Sequence, residues 1–161
     1  MTAPSPFPLP LFAEPWSGEV VSWSDSGGRI VLRRDGERTV TVEFVRCVRG
    51  RLRLAYPVST HDVEVRVADI ATADELTAAL RVVVPAVREA DPRCRKVVYP
   101  VVSNGSAREP LGALATIAAA EAAGFRYVVD VDIADAELSL MVAEPDWVTA
   151  VDIDLDHVPG T

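Results

Sequence analysis

The chain has 161 residues and a mass of 17.3 kDa, with 49% apolar and 25% charged residues. One ordinary domain of this size buries its core without disulfide or metal staples, and the longest apolar stretch, near 110–120, is too short to span a bilayer. Sixteen basic residues against twenty-four acidic ones give a formal charge of −8, which disfavours a broad nucleic-acid surface. Cys47 and Cys94 show neither the pattern of a secreted scaffold nor the spacing of a zinc site, and read as buried thiols. No Lys or Arg precedes Arg29, so a secretory signal is not expected, and the expectation is a cytoplasmic chain that meets neither membrane nor nucleic acid.

Prolines at 4, 6, 8, 10 and 15 leave few backbone donors, so residues 1–18 read as an extended arm. A single domain is expected over 19–146, with ordered sequence starting near Glu19. Apolar runs at 20–23 and 29–33 flank a Ser/Asp/Gly turn, and Asp35-Gly36 marks a second turn into TVTVEFVRCV. Segments 51–58 (RLRLAYPV) and 62–67 (DVEVRV) alternate as strands do. The period changes at Thr72, which with Glu75 makes a capping box, and Leu76, Leu80, Val83 and Val87 continue a helix over 73–90 that Pro85 should kink or end. Residues 95–102 read as a strand buried on both sides, with Pro100 an awkward member. Pro110 suits the first turn of a second helix, Gly124 its stop, and strands follow over 125–133 and 137–144. The last piece, 147–161, alternates Asp152, Asp154 and Asp156 with apolar residues and reads as an acidic strand or docked tail. Trp16, Trp23 and Trp147 suit anchors for arm and tail.

An antiparallel meander followed by a strand-helix-strand crossover predicts an α/β fold: a mixed, mostly antiparallel sheet with helices on its faces. Charge is uneven along it. Residues 28–53 carry eight Arg and three acids, whereas 125–161 carry nine acids and one Arg, a distribution suited to an anionic ligand, to a second subunit, or simply to two solvated faces.

The stretch from Pro110 to Val142, with its alanine-rich helix, the run Ala122-Ala123-Gly124-Phe125-Arg126-Tyr127 and the closing Leu138-Ser139-Leu140-Met141-Val142, resembles the second half of the GNAT superfamily of acyl-CoA N-acyltransferases. With the meander and first helix the resemblance covers residues 38–144. It implies acetyl-CoA or another acyl-CoA as cofactor and a small-molecule amine as acceptor. In that family the fourth strand leads into a turn of the form Arg/Gln-x-x-Gly-x-Gly/Ala whose backbone N–H groups hold the coenzyme pyrophosphate. The matching stretch here, ADIATADEL, has no glycine and places Asp69, Asp74 and Glu75 where phosphates would approach. The family's later Asn and Tyr fall at Ala113 and Ala120, while Glu121, Gly124 and Phe125 match. The two acceptor-binding helices that usually precede its second strand have no counterpart in the proline-rich residues 1–27.

Amine acylation needs a proton acceptor near the central strands, and His61, Asp62 and Glu64 are the acid/base candidates, with Asp62 and Glu64 on one face; a solvated loop histidine followed by half-exposed polar strand positions fits the same letters. Tyr99 and Tyr127 can serve as thiolate acids or as packing. Ser103, Asn104, Gly105 and Ser106 follow a strand at its carboxyl end, where a loop in front of a helix holds phosphate through backbone donors or merely connects. The aspartates around 130–135 and 152–156 sit at alternating strand positions that do not wrap a metal ion. Three readings follow: an acyltransferase with an altered cofactor loop, a cofactor-silent GNAT-like binding or assembly module, and a half-site completed by a second copy. A homo-oligomer is expected because the short front leaves a sheet edge to cover.

Overall fold

The computed structural model describes residues 7–34, 39–102, 112–134 and 136–144. The strands are β1 (Trp16–Ser24), β2 (Gly27–Arg34), β3 (Thr39–Arg46), β4 (Val63–Ala68), β5 (Val97–Val102), β6 (Arg126–Ile133) and β7 (Ala136–Ala143). The helices are α1 (Ala73–Ala90), between β4 and β5, and α2 (Ala113–Ala122), between β5 and β6. The described strands form one sheet in the order β1-β2-β3-β4-β5-β7-β6. Every neighbouring pair is antiparallel except β4 and β5, which the α1 crossover joins in parallel. This is the mixed, mostly antiparallel sheet that the pattern of residues implied. The turn at Asp35-Gly36, the loop at 103–109, Pro110 and the acidic piece at 147–161 lie outside the described residues.

Alternation on β3 buries Val40, Val42 and Phe44 on the face that also holds Val63 and Val65 of β4 and Val97, Tyr99 and Val101 of β5. Helix α1 lays Leu76, Leu80, Val83 and Val87 on this face, and α2 adds Ala119 and Ala120 beside it. Burying each large apolar side chain contributes about 1.5–3 kcal/mol, so this layer dominates the stability of the fold. Thr77 Oγ donates to the Ala119 carbonyl at 2.9 Å and binds the two helices together. On the opposite face Cys47 and Leu52 pack on Val98, Leu138, Leu140 and Val142.

Two glycines are required by backbone geometry. Gly27 closes the β1-β2 turn at Asp25-Ser26 with φ +147°, and a Cβ there would run into the carbonyl oxygen of Phe44. Gly124 adopts φ +100° after α2, letting the Phe125 N–H reach back to the Ala120 carbonyl at 3.0 Å. That turn seats Phe125 edge-on to Tyr99, with ring centroids 6.2 Å apart.

Two expectations are corrected. β1 begins at Trp16 rather than near Glu19, and Phe7 ahead of it is buried against Trp23, whose indole N–H donates to the Phe7 carbonyl at 2.8 Å. Residues 51–58 do not form a strand: 3-10 turns occupy Cys47–Arg49 and Arg51–Leu54. Both edges of β3, the strand it follows, are already taken by β2 and β4, and RLRL closes on itself through Arg53 N–H to Gly50 and Ala55 N–H to Leu52. The helix expected over 73–90 is found with those bounds; Pro85 does not end it, because the buried residues on either side of the proline hold both halves of α1 to the sheet. The strand expected over 95–102 is found as β5 with Pro100 inside it, at a position where β4 no longer pairs with it, so no ladder partner on that side needs its missing N–H. Among the described residues no helix is long and apolar enough to cross a membrane.

Candidate functional site

β4 and β5 pair only at Val63↔Val97 and Glu64↔Val98. Beyond that point each strand keeps its outer partner, β4 with β3 as far as Ala68 and β5 with β7 as far as Val102, so the two inner edges separate toward the N-terminal end of α1. Strand alternation sends Val63 and Val65 to the helix face and Glu64 to the other, at the point of divergence.

Glu64 is fully buried. Its Oε2 accepts from Arg51 Nε at 3.2 Å, Arg51 Nη2 at 3.1 Å and Arg66 Nε at 2.8 Å, while its Oε1 is buried without a hydrogen-bond partner. Arg66 Nη1 continues to Glu43 at 3.1 Å, and Arg29 reaches the other Glu43 oxygen at 3.2 Å, so alternating charges run across the face of three strands, β2, β3 and β4. Burial works against the Arg66 charge, but the hydrogen bond to Glu64 and the negative charges of Glu64 and Glu43 outweigh it and raise this guanidinium above the usual arginine value. Arg51 belongs to the second 3-10 turn, whose Leu52 is wholly buried, so the segment between β3 and β4 covers the Glu64 carboxylate.

His61 and Asp62 are drawn elsewhere. The two Asp62 oxygens accept the Ser59 N–H at 2.8 Å and the Lys96 N–H at 3.1 Å, so this carboxylate is a bracket that sets the start of β4 beside the start of β5. His61 Nδ1 lies 3.0 Å from Asp91 Oδ2; an ionised carboxylate only accepts, so Nδ1 carries the hydrogen. Arg46 Nη2 approaches the same oxygen at 2.8 Å, Arg46 Nη1 donates to the His61 carbonyl at 2.9 Å, and the guanidinium lies over the Phe7 ring at 4.2 Å. Burial alone would raise the Asp91 pKa, and hydrogen bonds from His61 and Arg46 reverse the sign and hold it below the usual carboxylate range. The three candidate acid/base residues thus serve three separate partners, and Asp62 and Glu64 share a face without sharing a site. Arg46, Arg51, Arg66 and Asp91 were not singled out by sequence; the excess of Arg over 28–53 was the one signal that pointed at any of them.

Tyr99 packs in the core, whereas Tyr127 is 48% exposed on edge strand β6. Ser103, Asn104, Gly105 and Ser106 lie outside the described residues. Both thiols are buried: burial, then the charges of Asp62 and Asp91, push Cys94 up to about 12, and burial, then Asp62 and Glu64, raise Cys47 as well.

The open end of the strand divergence faces the start of α1. Asp69 ends β4 with φ +67° and accepts from Thr41 Oγ at 2.8 Å. Thr72 Oγ accepts the Glu75 N–H at 3.1 Å, and the Ala71 N–H points back to the Glu75 carboxylate at 3.5 Å, the reciprocal arrangement of a capping box. Two backbone donors at this turn, those of Glu75 and Ala71, are therefore engaged by the chain's own side chains, and Asp69, Asp74 and Glu75 place three carboxylates around it. These residues do not fit the coenzyme phosphates.

No family model matches the chain, and no curated protein matches it by sequence. Solved structures match in fold. An uncharacterized protein (bh2621) from Bacillus halodurans is 17% identical with a TM-score of 0.60, the match covering 74% of this chain and 60% of that one. AAC(6')-Ib, solved with paromomycin and acetyl-CoA, is 17% identical with a TM-score of 0.61 over 75% of this chain and 66% of its own. The same aminoglycoside acetyltransferase with coenzyme A and kanamycin gives a TM-score of 0.61, with 68% of its own chain covered. This chain thus spans about 60–68% of the structures it resembles. The likeness to these structures is one of fold.

Proposed function

We propose that this chain is a GNAT-fold assembly module that pairs with a second copy and does not transfer acyl groups. The observation that carries the reading is the self-capped, acidic N-terminus of α1, where Asp69, Asp74 and Glu75 stand in place of a glycine-bearing phosphate turn. Two further features support it. Glu64 lies beneath Arg51 and Leu52, and β1 joins β2 through the two-residue turn at Asp25-Ser26, with no acceptor-binding helices between them. The partner reading rests on β1, an edge strand of nine residues with Val20 and Val21 45% and 58% exposed and Glu19 as its one charge. Exposed edges recruit another strand, and the register irregularity between Val20 and Ser22 leaves Trp16–Val20 as the regular stretch of this one. Light scattering at micromolar concentration should give a mass near twice 17.3 kDa, and calorimetric titration with acetyl-CoA should give no saturable heat. A monomer across a tenfold concentration range, or micromolar acetyl-CoA binding, overturns the reading.

One observation favours a second reading, an acyl-CoA-dependent N-acyltransferase with a small amine acceptor. β4 and β5 diverge beside Glu64, and its unpartnered Oε1 is an oxygen able to accept an N–H from an incoming amine. This reading requires the segment carrying Arg51 to lift away from the carboxylate. Acetyl-CoA binding that frees Arg51 from Glu64 would support it.

A further inference from the structure

The sheet has opposite charge at its two ends, although the chain as a whole is acidic. Half of its sixteen Lys and Arg residues lie in two segments, four over 46–53 and four over 88–96. The fold brings these segments to the end where β3 finishes and β4 and β5 begin. Three contacts tie them there: Arg46 to Asp91 at 2.8 Å, the Lys96 N–H to Asp62 at 3.1 Å, and Lys96 Nζ over the Tyr56 ring at 5.3 Å. Arg49, Arg53 and Arg93 are exposed there, and Asp62, Glu64 and Asp91 are buried in bonds already described, so the exposed acids at this end are Glu89 on the last turn of α1 and Asp25 in the β1-β2 turn, among the described residues. At the far end stand Asp69, Asp74 and Glu75, together with Asp132 and Glu137, which face each other across β6 and β7, so the acids there outnumber Arg33 and Arg34 at the end of β2.

β7 delivers the rest of the chain to the basic end. Its last residue, Ala143, pairs with Val97, the residue after Lys96, and Glu144 then forms an ion pair with Arg126 at 2.8 Å. The seventeen residues that follow, outside the described residues, carry Asp146, Asp152, Asp154 and Asp156 and no Lys or Arg. We propose that this Asp-rich C-terminal segment docks in cis on the basic end formed by 46–53 and 88–96. Reach is sufficient: Asp152 lies eight residues past Glu144, about 26 Å of extended chain, and β3 is three strand spacings from β7, about 15 Å. Opposite charge favours contact here, and like charge opposes it at the far end, where acids are in excess. A tether this short gives an effective concentration on the order of millimolar, which favours the chain's own segment over a second copy's at micromolar protein.

The test uses a full-length variant with Asp146, Asp152, Asp154 and Asp156 each changed to Asn, its fold checked by circular dichroism, and a fluorescent synthetic peptide of residues 145–161. The peptide should bind the variant at least tenfold more tightly than the wild type, whose own segment competes, and adding Arg53→Ser and Arg93→Ser to the variant should weaken that binding at least fivefold. Raising salt from 50 to 300 mM, round values chosen around the ~10 Å screening length of 0.1 M salt, should weaken it as well. Equal affinity for wild type and variant, or no binding to the variant, overturns the proposal. A wild-type dimer that dissociates in the variant assigns the segment to the second copy and overturns docking in cis.

Discussion

Asp91 shows how a single residue sets the acid limit of this fold. Its carboxylate joins the end of α1 to Arg46 on β3 and His61 before β4, and its pKa is depressed in the folded chain. A depressed carboxylate contributes stability that is complete above its unfolded value of about 3.9 and is lost as pH falls through the folded value. Asp91→Asn should therefore cost on the order of 3 kcal/mol at pH 7, since it leaves a buried guanidinium without its counter-charge. The difference from wild type in urea midpoint should shrink steadily below about pH 4; a constant difference across that range would count against the ion pair. The buried thiols give a second test at this scale. At pH 8 Cys47 and Cys94 should resist iodoacetamide in the folded chain and react once urea unfolds it, because burial keeps both thiols protonated. Rapid native labelling would show that the 47–58 segment opens readily.

At the scale of the element, α1 carries two opposed features. Its N-terminus is closed by Thr72 and Glu75, and Thr72→Ala should lower stability by about 0.5–2 kcal/mol; an unchanged unfolding midpoint would remove the capping argument. Pro85, exposed on its outer side, removes an internal hydrogen bond, so Pro85→Ala should raise stability by about 1–2 kcal/mol, read as a higher urea midpoint. The same N-terminus decides the coenzyme question. Asp74→Asn should strengthen whatever acetyl-CoA binding exists, with the gain reduced by salt. Tight wild-type binding that Asp74→Asn leaves unchanged would mean that the phosphates lie elsewhere.

For the whole molecule, the consequential feature is an open sheet with an exposed strand at one edge and a charge axis along the strands. If β1 is the pairing edge, Val21→Lys should lower the mass in solution from twice 17.3 kDa to the monomer value while leaving the circular dichroism spectrum unchanged. A dimer that survives this change would exclude β1 as the seam. The basic end and the β1 edge are separate surfaces, so the dimer should also persist when the C-terminal aspartates become asparagines.

The sequence by itself determined the elements whose signals are local: the period of α1, its Thr72 cap, the Gly124 stop, the β4 alternation and the order of elements that makes the sheet mixed. Each rests on spacing within a few residues, which the chain carries with it wherever it folds. The tertiary structure decided which strand edges were free, and so turned RLRL into 3-10 turns, let Pro100 sit in an interior strand and kept α1 continuous through Pro85. It also decided what the polar residues do. His61, Asp62 and Glu64 look alike as neighbours in a strand, yet one meets Asp91 across thirty residues, one meets the Lys96 backbone, and one meets Arg51 and Arg66. Those partners come from distant segments, and a buried charge takes whichever counter-charge or backbone donor the packing brings within reach, which no local pattern records.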